Sequence, residues 1–291
     1  MANKDDPSKR SYPANITIIR ELVNALDVDD PLDGQVNQHV INLTIIAFNW
    51  LLCPAEYTHS RDADASRSQA FTFSDACITV HHTPNSEPRM YAATDPSLND
   101  VQESQIFAGS LTFADQNGVR GEQVAQRATK DPDLCPAKAL FRLTQHLRDH
   151  KAPPSTPLCA YYDSHHRLSY VKSTFITNGL RHAAGNLEQF TGIDRFLLSA
   201  RSLRPGGATA LLCAGIDSDV IKLLGRWKSD AMFRYLRIQA HIHKSNIAQL
   251  MLDHGSYTFA PGVFVEAANM PLPIETPRAF ADVLNHFEID D

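Results

Sequence analysis

From Val40 to Leu52 the chain is apolar on nearly every face that a helix would present, with only Asn42, Thr44 and Asn49 interrupting the run. A helix without a polar face must be enclosed by other elements, so this segment predicts a central helix with the rest of the fold wrapped around it. The run is shorter than the roughly 20 residues a membrane span requires. It stops at Cys53-Pro54, because proline bars the residue before it from the helical region. With 43% hydrophobic and 21% charged residues among 291, the chain can supply the enclosing core, and collagen-like, coiled-coil and wholly disordered architectures are excluded.

Other periodicities fill in the surroundings. Ile18, Ile19, Leu22, Val23 and Leu26 recur at helical spacing ahead of a loop at 27–34. The stretches Phe71–Val80 and Ile106–Phe113 alternate and gather β-branched and aromatic residues. A polar turn, Asp115-Gln116-Asn117-Gly118, follows the second, which predicts a small antiparallel sheet with a hairpin turning at Asn117-Gly118. Pro136 opens a helix running to about His150, and Phe175–Leu187 reads as the next. Ala208, Leu211 and Leu212 form an apolar face before Gly215, a left-handed stop. Asp217 or Ser218 then caps a helix carrying Val220, Ile221 and Leu224, which Gly225 ends. Ser229 caps a further helix with Met232, Phe233 and Leu236 on its buried side.

The expected fold is therefore mainly α with a small antiparallel β-sheet, an α+β domain over residues 12–252. Polar residues 1–11 read as disordered. Residues 253–277, with Pro261, Pro271, Pro273 and Pro277, read as a linker. Phe280, Val283, Leu284 and Phe287 place a short acidic amphipathic helix at 278–291.

Cys53, Cys77, Cys135, Cys159 and Cys213 are odd in number, widely spaced and never in a C-x-x-C pair, which predicts reduced thiols and no zinc site. Histidine pairs such as His81-His82 and His165-His166 lack Cys or carboxylate partners at ligand spacing, so neither a metal nor another cofactor is expected. The N-terminus MANKDDPSKR has neither the apolar segment of a secretory signal nor the Arg-rich pattern of a transit peptide, which predicts an intracellular protein without a membrane partner, nuclear if the source is eukaryotic.

Net charge is -6, yet residues 194–244 hold nine Lys or Arg against four acids. Global acidity thus conceals a basic segment of the kind that meets phosphate. Within it lie Arg201-Ser202-Leu203-Arg204, then Gly225-Arg226-Trp227, then Tyr235 in Phe233-Arg234-Tyr235-Leu236. In this order the set resembles the C-terminal motif region of the tyrosine recombinases, the phage-integrase superfamily. There an H-x-x-R box begins one helix, a His or Trp follows in a G-H/W turn, and a nucleophilic Tyr lies on a later helix. The run SLRPGGATALLCAGIDSDVIKLLGRWKSDAMFRYLR is most similar to the recombinases of eukaryotic mobile elements, and the resemblance covers residues 12–252.

The resemblance implies the recombinase catalytic-domain fold, double-stranded DNA as partner, and DNA breaking and rejoining through a 3′-phosphotyrosine intermediate, as in recombination and integration. Tyr235 would attack a backbone phosphate and store the bond as an ester, so that rejoining needs neither ATP nor metal. Arg204 would clamp the nonbridging oxygens with charge-assisted hydrogen bonds, Trp227 would donate one more, and Arg201 would touch phosphate. Lys222, Arg226, Lys228, Arg234 and Arg237 are the expected DNA contacts. A homo-oligomer held through the C-terminal helix is also implied.

Three positions depart from the family pattern. Its first Arg begins an R-x-x-E box at the end of the buried helix, where this chain has Cys53-Pro54-Ala55-Glu56. Its hairpin Lys is absent from the turn around Asn117, leaving Arg120 or Lys130 as substitutes. Arg201 replaces the His of H-x-x-R and cannot serve as a neutral base. An arginine stabilising a transition state is worth roughly 10³–10⁵ in rate and a general acid about 10²–10⁴. The expected enzyme is accordingly slow or inactive.

Two other readings remain open on the sequence. Residues 208–228 have the outline of a helix-turn-helix, which would set Lys222, Arg226 and Lys228 at base edges and make Tyr235 dispensable. Alternatively the chain is a mobile-element remnant acting through protein contacts. Its feature would be the acidic C-terminal helix. Residue by residue, the packing readings put Tyr235 at a core edge, give Trp227 to the core alone, and have Arg204 bind a helix-terminal carboxylate or carbonyls.

Overall fold

The computed structural model describes residues 12–30, 33–59, 69–83, 86–113, 121–227, 247–253 and 255. Helix α1 (Ile16–Ala25) starts where Asn15 Oδ1 accepts from Ile18 N–H at 2.9 Å, and it buries Ile18, Ile19 and Leu22. Then come α2 (Gly34–Asn49), the single turn α3 (Pro54–Tyr57), strands β1 (Ala76–Val80), β2 (Arg89–Ala92), β3 (Ile106–Phe113) and β4 (Glu122–Arg127), and α4 (Pro136–Asp149). A short hairpin, β5 (Ala160–Tyr162) with β6 (Leu168–Tyr170), leads into α5 (Ser173–Asn186) and the short α6 (Glu188–Thr191). The described chain closes with α7 (Leu203–Cys213), α8 (Ser218–Leu224) and α9 (Ile247–Asp253). The α+β class read from the sequence is what the structure has.

Helix α2 is the axis of the core. Every residue from His39 to Asn49 is buried, and α1, α4, α5 and α7 pack around it. Its apolar run outlasts the helix, however. Leu51 takes a left-handed φ of 53°, and Leu52 N–H reaches back to the Ala47 carbonyl at 2.9 Å, so the chain turns sharply after Trp50 while Trp50, Leu51 and Leu52 stay buried.

The antiparallel sheet has the order β2-β1-β3-β4, with Ser110 opposite Cys77 on one side and Ala125 on the other. Strand β3 lies close under α4 because Gly109 has no side chain, and a Cβ there would sit 3.0 Å from Leu140 Cδ2. The strand expected over 71–80 begins only at Ala76. Asp75 Oδ2 accepts from Thr72 N–H at 2.7 Å and holds Phe73–Asp75 in a 3-10 turn instead. Trp50 Nε1–H donates to Val124 O and Gln126 Nε2–H to Asn49 O, both at 2.9 Å, so β4 is tied to the C-terminal end of α2.

None of the five cysteines forms a disulfide. Among the described residues no group of three His, Cys, Asp or Glu side chains is placed to hold a metal ion, and no helix is long and apolar enough to cross a membrane. The expected disordered N-terminus 1–11, the hairpin turn at Asn117-Gly118, the helix after Ser229, and the C-terminal helix at 278–291 lie outside the described residues, as does all of the expected linker beyond Gly255.

Between α2, α4 and the β5–β6 hairpin lies a chain of imidazoles. The His39 ring is 4.6 Å from His146, and His146 is 4.5 Å from His150, which stacks on Tyr162 at 4.4 Å. His39 Nδ1–H donates to Gln35 O at 2.8 Å, while His146 Nε2 accepts from Tyr162 N–H at 2.9 Å, a bond that needs a neutral His146 ring. Burial, helped by the neighbouring His150, pushes His39 down to about 4. Burial together with His39 and His150 pushes His146 down to about 3. A folded-state value below the unfolded one means that the unfolded chain takes up the proton first. The stability these rings contribute is therefore complete above pH 6.5 and is lost as pH falls through the window down to about 4 for His39 and about 3 for His146. Urea unfolding at pH 7.5, 5.5 and 4.5 is expected to show a decline approaching ~1.4 kcal/mol per pH unit below 6.5 from the buried His39, with a smaller share from the part-exposed His146.

Candidate functional site

Three segments distant in sequence meet where α2 ends: Cys53 with α3, the first turn of α7, and the turn after α8. Two glycines make the approach of α7 possible. A Cβ on Gly206 would run into the carbonyl oxygen of Ala14, and one on Gly207 into that of Phe48. The stretch before α7 is anchored from both sides, by Ala14 N–H donating to Ser202 O at 3.0 Å and by Tyr57 O–H donating to Ala200 O at 2.8 Å. Burial, with Cys53 nearby, pushes the Tyr57 phenol well above its ordinary value, so it remains a neutral donor.

This brings Arg204, part-buried in the first turn of α7, over the end of α2. Its Nη1 donates to Cys53 Sγ and its Nη2 to Gly225 O, and its guanidinium carbon lies 4.5 Å from the centre of the Trp227 ring. The indole reaches this position because Gly225 carries no side chain, since a Cβ there would overlap the ring.

The turn that presents Gly225 and Trp227 closes α8 with two hydrogen bonds, Arg226 N–H to Leu223 O and Trp227 N–H to Lys222 O, each 3.0 Å. In such a turn the residue after the cap is left-handed and is usually glycine. Here that residue is Arg226, with φ 56°, whereas Gly225 has an ordinary φ of -80°. The expectation that Gly225 supplies the stop is thus shifted by one residue. Gly225 is needed for the close indole, and Arg226 bears a backbone conformation costing roughly 1–2 kcal/mol for a residue with a side chain.

The position of the Arg226 side chain accounts for that conformation. Its Nη1 donates to Trp50 O at 3.2 Å and Leu224 O at 2.9 Å, and its Nη2 donates to Leu51 O at 3.0 Å and Glu56 Oε2 at 3.3 Å. The guanidinium also lies 4.1 Å over Phe113 of β3. It caps the carbonyl end of α2, where a cation is favoured by the helix dipole, and it faces a carboxylate that is itself fully buried. Glu56 Oε2 also accepts from Cys53 N–H at 2.7 Å. Burial pulls the Arg226 guanidinium below its ordinary value, Glu56 opposes that, and the like charge of Arg204 adds to it.

Arg226 was expected among the DNA contacts, and that expectation is corrected: its side chain is 1% exposed and is spent inside the protein. Arg204, Trp227 and Cys53 are brought together. Arg201 is exposed in the 3-10 turn Ala200–Ser202, and Lys222 is partly buried on α8. Lys130 is exposed beyond β4, where its N–H donates to Gln249 Oε1 of α9 at 3.2 Å. Asn117, Arg120, Lys228, Arg234, Tyr235 and Arg237 lie outside the described residues. The sequence did hold a signal for Arg226. A glutamate in a segment leading out of a buried helix, with no Lys or Arg beside it in sequence, calls for a cation from elsewhere.

Removing one partner of a buried pair strands the other charge. Glu56→Ala is therefore expected to cost about 3–5 kcal/mol in denaturant unfolding, whereas Arg167→Ala, which removes a surface pair with Asp163, is expected to leave the unfolding midpoint nearly unchanged.

In comparisons with known proteins, no protein-family model matches this chain and no curated protein matches it.

Proposed function

We propose that the chain is a DNA-binding domain of the tyrosine-recombinase type whose Arg204–Trp227 cluster receives a backbone phosphate, with Tyr235 as the nucleophile position and strand cleavage slow or lost. The observation that carries this reading is the meeting of Arg204, Trp227 and Cys53 from three separate segments at the end of one buried helix. A guanidinium stacked on an indole suits a phosphate because its fork matches two oxygens at once. Arg204 now donates Nη1 to the Cys53 sulfur and Nη2 to the Gly225 carbonyl, and a phosphodiester anion would offer two oxygens to the same fork. Arg201 and Lys222 add positive charge on the flanking elements. An impaired reaction follows from the same geometry, since Cys53 presents sulfur where the resemblance expects a guanidinium, and the hairpin lysine is absent from the sequence.

The helix-turn-helix alternative has less support. Of the three side chains it would place at base edges, Arg226 is buried, and α8 is only seven residues long.

A labelled 30-base-pair duplex titrated at several salt concentrations tests the reading. Arg204→Gln is expected to weaken binding about tenfold and to reduce the salt slope by about 0.9, the signature of one lost phosphate contact. Unchanged affinity and slope would refute the phosphate site. In parallel, nicked duplex should trap little covalent adduct, and Tyr235→Phe should leave affinity unaltered. Efficient trapping that disappears in Tyr235→Phe would overturn the claim of impaired chemistry.

A further inference from the structure

We propose that Arg226 is a positioning residue for Arg204: it neutralises Glu56 from inside the fold and so replaces, from the turn after α8, the positive charge that Cys53 does not provide. This inference rests on the phosphate-binding reading of Arg204.

Cys53 lies between two opposite charges. Its N–H is bonded to the Glu56 carboxylate and its sulfur is bonded to Arg204, so the carboxylate and the Arg204 guanidinium are a single residue apart. Left alone, a fully buried carboxylate at that distance would draw Arg204 inward and cancel its charge towards any phosphate. Arg226 prevents this by engaging Glu56 directly while its other bonds go to carbonyls of Trp50, Leu51 and Leu224. With Arg226 in place the cluster of Glu56, Arg204 and Arg226 keeps one net positive charge, and Arg204 is the part-exposed member that carries it outward.

The same residue lies between the two that hold Arg204. Gly225 and Trp227, the neighbours on either side of Arg226, supply the carbonyl and the ring that hold Arg204. A left-handed arginine is an improbable choice for such a turn unless its side chain repays the strain, since glycine would adopt that φ at no steric cost. Four of its five N–H donors are used, while the turn itself is closed by backbone bonds that Arg226→Gly would keep.

The test separates charge from shape with Arg226→Gly, Glu56→Gln/Arg226→Gly and Cys53→Arg/Arg226→Gly in the full chain, because glycine keeps the left-handed turn. The probe is the labelled 30-base-pair duplex, with near-UV circular dichroism confirming the fold and Arg204→Gln as reference. Arg226→Gly is expected to bind about tenfold more weakly with a salt slope lowered by about 0.9, as Arg204→Gln does. Adding Glu56→Gln or Cys53→Arg should restore most of the affinity and the slope. A purely structural role predicts no rescue by Glu56→Gln, and that result would overturn the inference, as would wild-type binding by Arg226→Gly. Should Arg226→Gly fail to fold, the two double variants, which leave no unpaired carboxylate, decide the matter by binding like the wild type or like Arg204→Gln. If Arg204→Gln itself binds normally, the phosphate reading fails. If Arg204→Gln is weak while Arg226→Gly is not, only the positioning role of Arg226 falls.

Discussion

The buried pair of Arg226 and Glu56 is the interaction on which the site depends, and it depends in turn on where α2 stops. Two ions removed from water would ordinarily be a liability, because desolvation is repaid only when geometry is good and the remaining donors are satisfied. Here the repayment comes from the helix itself. The sharp turn at Leu51 exposes the carbonyls of Trp50 and Leu51 at the negative end of α2, and the Arg226 fork closes on them and on Glu56 together. One guanidinium thus caps a helix, pairs a carboxylate and stacks on Phe113 of the sheet. The sheet, the central helix and the C-terminal helices are joined at this point.

Close backbone approach is the second requirement, and glycine meets it at each contact. Gly206 and Gly207 let α7 lie against the Ala14 and Phe48 carbonyls, and Gly225 admits the Trp227 ring. None of these three needs an unusual backbone angle. The one left-handed position in the turn went to an arginine, which means that side-chain contacts, not backbone freedom, decided the residue there.

Much of the fold was legible because its signals are local. The all-apolar run marked α2, Pro136 marked the start of α4, Asp217 marked the cap of α8 by accepting from Asp219 N–H at 2.8 Å, and Gly215 took the left-handed angle expected of it. Elements held by pairing alone were not. Strand β2 is almost wholly exposed and borrows its order from β1, and the three-residue strands β5 and β6 carry no pattern long enough to show a period. At the site, motif order singled out Arg204, Trp227 and Cys53, which the fold brings together. It misdirected Arg226, because a basic residue in a basic segment reads as surface unless its buried partner is known. That partner, Glu56, lies 170 positions away.

A thiol at residue 53 does not leave the cluster around Glu56 without positive charge. Arginine is long enough to reach a fixed carboxylate from a different element, so the charge around Glu56 need not come from the residue next to it in sequence. Were the pocket to hold a phosphate, the buried position of Arg226 would have a chemical consequence. A guanidinium facing outward would bind the transition-state oxygens directly, whereas Arg226, sealed under Trp50 and Phe113, can act on a phosphate only through Arg204. Ground-state attraction for a phosphate survives such a change far better than transition-state stabilisation, which needs donors placed within hydrogen-bond reach of the reacting oxygens.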